Sequence, residues 1–160
     1  MDQLKAEDPS LCRPHDDRVG VYPCRSFNVG QHSASYPHTD LANLSQSWCS
    51  ITPIGQFDPK RGGHLVLEDL KLVIEFPPSS TILIPSALLI HSNTPIQLHE
   101  TRYSIVQYAA GGLFRWAKNG SMTNSTRSKA QPGGVKCQEW MESADMFMKL
   151  DELMEFSSTK

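Results

Sequence analysis

Between residues 27 and 111 the apolar residues come in short runs cut off by Gly and Pro, and nowhere in that span do they recur with a helical period. Ser47 to Ile54 alternates and is rich in β-formers. Gly55 to Gly63 is a turn cluster. His64 to Leu67, Lys71 to Phe76, Thr81 to Pro85, Leu88 to Ser92 and Arg102 to Ala110 are further runs, the last stopped by Gly111-Gly112. With Phe27-Asn28-Val29 and the lead-in over 33 to 40, this makes about eight short strands, the pattern of an antiparallel sandwich or barrel. A double-sheet jelly roll is the member of that set with room for a ligand between its sheets.

Two of these strands carry chemistry. His38 and Asp40 are two apart, so on a strand both side chains leave one face. His91 lies 51 positions beyond Asp40 and has to come from another strand. Two imidazoles and one carboxylate suit a divalent metal such as Fe(II) and leave coordination positions open. Pro37 places the His38 strand at an edge or an irregular end. His64, just after Gly63, is a weaker substitute for His91. His15-Asp16-Asp17 offers no such site, because adjacent residues diverge on either a strand or a helix. Trp48, Leu65, Leu67, Val73, Ile82 and Ile84 are expected in the core, and Tyr36, Asn28 and Asn43 are weaker candidates for lining a pocket.

The flanks differ in character. Residues 1 to 26 are polar and broken by Pro9, Pro14 and Pro23. From Arg115 to Lys136 there are five basic residues and no acid, within a polar loop over 117 to 136. Most such stretches are solvated loops. Lys118, Arg127 and Lys129 are its weak candidates for a nucleic-acid contact. Residues 137 to 156 show 3- and 4-residue apolar spacing through Trp140, Phe147 and Met154, which predicts an amphipathic C-terminal helix.

With a net charge of −2, whole-chain electrostatics predict no polyanion binding. No run reaches the roughly 18 apolar residues of a membrane span. Met1 to Asp8 has no apolar signal core, and the four cysteines Cys12, Cys24, Cys49 and Cys137 form no paired motif. An intracellular protein, nuclear or cytoplasmic, with reduced thiols is expected.

Several motifs recur in order: Tyr36-Pro37-His38-Thr39-Asp40, Asp58 to Leu67 with its Gly62-Gly63, Phe76-Pro77-Pro78, Ile82 to Ser86, His91-Ser92-Asn93, Arg102-Tyr103-Ser104 and Gln107 to Trp116. Together they cover a little over half the chain, which resembles the Fe(II)- and 2-oxoglutarate-dependent dioxygenases. Within these it is most similar to the TET/JBP-like proteins of basidiomycete fungi. The resemblance implies an all-β core over 27 to 116, a double-stranded β-helix (a cupin-like jelly roll). It also implies Fe(II) on His38, Asp40 and His91, with 2-oxoglutarate and O2 as cosubstrates. Arg102 and Ser104 would hold the far carboxylate of 2-oxoglutarate. A 5-methylpyrimidine base in nucleic acid is the family's type of substrate, and DNA the expected partner. Members of this family usually carry helices and extra strands ahead of the His-x-Asp strand, whereas 37 residues precede His38 here. Two alternatives therefore stand beside this reading: the same chemistry on a protein or small molecule, and a catalytically silent, truncated jelly roll.

Overall fold

A computed structural model describes residues 20–123, with residues 6, 9, 125, 126 and 154. Over residues 20–123 seven strands and one helix follow in order. They are β1 (Cys24–Asn28), β2 (Cys49–Gln56), β3 (Leu65–Leu67), β4 (Leu72–Ile74), β5 (Ile82–Ile84), β6 (His91–Asn93), β7 (Thr101–Tyr108) and α1 (Gly111–Lys118). The strands form two antiparallel sheets, one in the order β1-β7-β2-β5 and the other β4-β3-β6. The core is therefore all-β, as the strand pattern predicts.

The core lies between the sheets. Leu65 and Leu67 point inward from β3, meeting Cys49 and Ile51 of β2, Ile84 of β5 and Phe76. The alternation along β3 is the ordinary two-residue strand period, with Val66 between the two buried leucines turned the other way. Burying each of these large apolar side chains contributes about 1.5–3 kcal/mol.

The stretch from Gln31 to His38 ties the two sheets together. After β1 the chain turns at Gly30, where the Ser33 amide donates to the Gly30 carbonyl. It then runs beside β7: the Arg102 amide donates to Gln31 O at 2.7 Å and the Ser33 amide to Arg102 O at 3.1 Å. Further on it lies along the free edge of β6. The Asn93 amide donates to Ser35 O at 3.2 Å, and His38 and His91 exchange backbone hydrogen bonds of 3.1 and 2.9 Å. Residues 35 to 38 thus act as an edge strand beside β6, through bridges rather than a continuous ladder, as Pro37 leads one to expect.

Several local expectations are corrected. Val73 is 65% exposed because β4 is an edge strand paired only with β3, and Trp48 is 56% exposed because it precedes the β2 ladder. Leu88 and Leu89 are in a turn, both amides donating to Pro85 O, so the last short strand begins only at His91. β1 starts at Cys24, earlier than the first apolar run suggests. α1 is not anticipated at all. Gly111-Gly112 reads as a stop, and Ala110 provides no side-chain cap. The helix is held from outside instead: the Gly111 amide donates to Ala42 O and the Leu44 amide to Ala109 O. Arg115 and Lys118 in the last turn suit its dipole. The helix expected over 137–156 lies outside the described residues, Met154 apart.

Candidate metal centre

His38, Asp40 and His91 come together from two neighbouring stretches of chain. One potential ligand atom from each lies within 4.8 Å of the others, and among the described residues this is the group of metal-ligating side chains that converges. His38 Nε2 stands 3.6 Å from Asp40 Oδ1, and the two imidazole rings are 4.4 Å apart between centroids. Imidazole nitrogens and carboxylate oxygens bind divalent ions at about 2.1 Å, so side-chain rotations alone can close this set on one ion. His91 is 5% exposed, whereas His38 lies open to solvent, so the centre has a closed wall and an open mouth.

The backbone selects the tautomer of both imidazoles. His38 Nδ1 lies 2.7 Å from Tyr36 O, and His91 Nδ1 lies 2.9 Å from Leu89 O. A carbonyl only accepts, so Nδ1 carries the proton in each ring, and in the neutral ring Nε2 presents its lone pair. Hydrogen bonds of this kind orient histidine ligands and raise their basicity. The two rings share one local device, a carbonyl two residues upstream.

Asp40 is fixed from behind. Its amide donates to Ser86 O at 2.9 Å, and its Oδ2 accepts from Asn43 Nδ2 at 3.1 Å. Asn43 Nδ2 also reaches Ser86 Oγ at 3.2 Å. Beneath these lies Cys49, whose thiol is pushed up to about 11, first by burial and further by the Asp40 charge, against a hydrogen bond with Ser86. The wall behind the carboxylate is thus dry, and Asp40 directs Oδ1 toward the histidines.

Arg102 projects from β7 into the interior and is 2% exposed. Its Nη1 donates to Ser33 O at 2.8 Å, and its guanidinium carbon lies 6.0 Å from the Phe57 ring centroid. Nε and Nη2 have no hydrogen-bond partner. Burial lowers the affinity of this guanidinium for its proton, with no carboxylate among the causes. Two steps along the same strand face, Ser104 Oγ accepts from Asn28 Nδ2 at 2.8 Å and keeps its own proton to donate. Gly63 makes room for the arginine stem. Its φ is +70°, and a Cβ there would stand 2.7 Å from Phe57 and 3.4 Å from Arg102 Cδ.

A buried cation with two idle donors in a fork fits a carboxylate, which accepts two parallel hydrogen bonds. The donor set of His38, Asp40 and His91 fits a divalent metal with open positions. By these tests the residues present suit a divalent metal and a carboxylate-bearing ligand.

No family model matches the chain, and no curated protein matches it. A solved structure of NgTET1 in complex with 5mC DNA is similar to part of it. The TM-score is 0.47 and the identity 22%, over 56% of this chain and 34% of that one. The chain thus matches about a third of that protein's length, and a likeness of this degree carries no functional argument.

His64 does not join the centre. Its Nδ1 and its backbone amide both meet Thr94 Oγ1, at 3.0 and 2.9 Å. Tyr36 is 92% exposed and serves the site through its carbonyl. Asn28 and Asn43 act on Ser104 and Asp40 respectively. Ser86 and Asn93 are absent from the sequence-derived site. Asn93 alone had a signal, lying two residues beyond His91 on one strand face. Lys118 closes α1 on its exposed side, and Arg127 and Lys129 lie outside the described residues. Among the described residues no helix is long and apolar enough to cross a membrane.

Proposed function

We propose that this chain is an Fe(II)- and 2-oxoglutarate-dependent dioxygenase built on a jelly roll spanning residues 27 to 116. The observation that carries the reading is the convergence of His38, Asp40 and His91, both imidazoles offering Nε2, on the protein segment that also anchors Arg102 with its idle donors. The strand order supports the fold. Counting residues 35 to 38 as an edge strand, the sheets read β1-β7-β2-β5 and β4-β3-β6-(35–38), the alternation between sheets of an eight-stranded jelly roll.

When bound, iron and 2-oxoglutarate together supply oxidative decarboxylation coupled to oxidation of a C–H bond in the substrate. The chain's part is placement and exclusion of water. His38, Asp40 and His91 hold the metal, Asn43 and Ser86 orient Asp40, and Arg102 pairs with the distal carboxylate while Ser104 adds a hydrogen bond. Buried Cys49, beside Asp40 and Ser86, keeps the space behind the carboxylate dry. His38 is open to solvent, as are its neighbours Tyr36 and Leu41, so the substrate meets the centre from this side. The order of motifs from His38 to Trp116 supports a 5-methylpyrimidine base in nucleic acid as the substrate, with Lys118, Arg127 and Lys129 as the candidate phosphate contacts.

The test is succinate formation by the purified chain with Fe(II), 2-oxoglutarate and 5-methylcytosine-containing DNA. The proposal expects turnover that requires both iron and 2-oxoglutarate, is lost in His38→Ala and Asp40→Ala, and is accompanied by oxidation of the methyl group. Turnover unchanged in both variants would refute the metal assignment. Succinate without base oxidation would move the substrate to another class.

A further inference from the structure

Among the described residues, three buried side-chain nitrogens have no hydrogen-bond partner: Nε and Nη2 of Arg102, and Nδ2 of Asn93. All three are donors, and no buried side-chain oxygen shares their condition. Buried polar groups are nearly always paired, and a donor left idle costs free energy. The complement of three idle donors, one of them cationic, is a group of oxygens bearing negative charge.

Asn93 stands between Arg102 and the metal centre along one segment. Ser33 O takes Arg102 Nη1. Two residues on, Ser35 O accepts from the Asn93 amide and Ser35 Oγ donates to Asn93 Oδ1 at 3.0 Å. His38 then pairs with His91. Two residues of extended chain span about 7 Å, so the anchor points of Arg102 and Asn93 are within reach of one small anion. His91 and Asn93 are two apart on β6 and share a face, which puts the Asn93 amide on the metal-facing side. Its Oδ1 is already committed to Ser35, which turns Nδ2 to the interior.

We infer that Asn93 is a cosubstrate-binding residue. Its Nδ2 donates to an oxygen at the keto-acid end of the same dicarboxylate whose far carboxylate Arg102 grips. This rests on the proposed reading of the centre as an Fe(II)/2-oxoglutarate site. Asn93 and Arg102 then act as two fixed points that set the length of acid accepted.

The experiment is calorimetric titration of 2-oxoglutarate into the Mn(II)-loaded protein, with Mn(II) binding measured separately by paramagnetic resonance. Asn93→Asp keeps the acceptor for Ser35 and replaces the donor with a negative charge. It is expected to weaken 2-oxoglutarate binding by about tenfold or more. Asn93→Ala is expected to weaken it by about three- to tenfold while Mn(II) affinity stays within about twofold of wild type. Unchanged 2-oxoglutarate affinity in both variants overturns the inference, since the idle donor then meets only water. Loss of Mn(II) and 2-oxoglutarate together in Asn93→Ala also overturns it, assigning Asn93 a structural role. A wild-type protein that binds Mn(II) and no 2-oxoglutarate removes the underlying reading itself.

Discussion

His38 and His91 exchange a closed pair of backbone hydrogen bonds, and each turns its Nδ1 to a carbonyl two residues upstream. The sheet edge that joins the two segments is therefore also what aims their Nε2 atoms at one point. Fold and candidate metal site are one device at this place: unpairing residues 35 to 38 from β6 would disperse His38 and His91.

Removal of either imidazole should act on metal binding first. His38→Ala and His91→Ala are each expected to weaken Mn(II) or Fe(II) binding by at least about a hundredfold, because two ligands hold a divalent ion far less well than three. His64→Ala should leave it unchanged, since that ring is engaged with Thr94. A paramagnetic-resonance titration of free Mn(II) distinguishes the two outcomes, and a loss in His64→Ala would point to a different ligand set.

Asn43 donates to Asp40 Oδ2, leaving Oδ1 for the proposed metal. Outer hydrogen-bond partners of ligands typically matter by about 10–100-fold in metal affinity. Asn43→Ala should fall toward the lower end of that range, because the Asp40 amide stays anchored to Ser86 O. Asn43→Ser, which can still donate to a carboxylate, should recover part of the loss. Equal affinities in all three proteins would show that Oδ2 needs no support.

Arg102 is a buried cation with idle donors, which costs stability when no ligand is bound. Arg102→Met fills similar space without the charge. The cosubstrate-free variant is expected to be more stable than wild type by about 1–3 kcal/mol in urea unfolding. The stabilisation that 2-oxoglutarate gives to the metal-loaded protein should vanish with the same substitution. A destabilised Arg102→Met would mean that the guanidinium is satisfied within the protein.

These expectations show what a sequence can and cannot convey here. His38, Asp40 and His91 are legible because strand alternation puts the first two on one face and the spacing demands a second strand for the third. Leu65, Leu67 and Ile84 are legible as core by the same alternation. Val73 has an equally apolar neighbourhood in sequence and is exposed, because only the sheet order reveals that β4 is an edge. α1 escapes detection because its start is specified by distant carbonyls, Ala42 O above all, and not by a cap or a periodic stripe. Asn43 and Asn93 are ordinary amides until the partners of each nitrogen are known.

Cys49 gives the dry wall a pH signature. Its thiol loses its proton at about 11 in the folded chain, against an ordinary value of 9.0. A raised acid pKa means that the unfolded chain ionises first, so stability is unaffected below about pH 9 and falls between pH 9 and 11. The full effect is about 2–3 kcal/mol. Urea unfolding at pH 8 and pH 10.5 should show a steeper decline for wild type than for Cys49→Ala. Parallel curves would place the thiol in contact with water.

The joint metal and cosubstrate site is tested most directly by adding 2-oxoglutarate to the Fe(II)-loaded protein without oxygen and recording its visible spectrum. Chelation of iron by the keto acid gives a metal-to-ligand charge-transfer band. The band should require both components and be absent in His38→Ala, and in Arg102→Met it should need a far higher concentration of 2-oxoglutarate. A wild-type protein that binds Fe(II) yet shows no such band at any 2-oxoglutarate concentration would contradict the account.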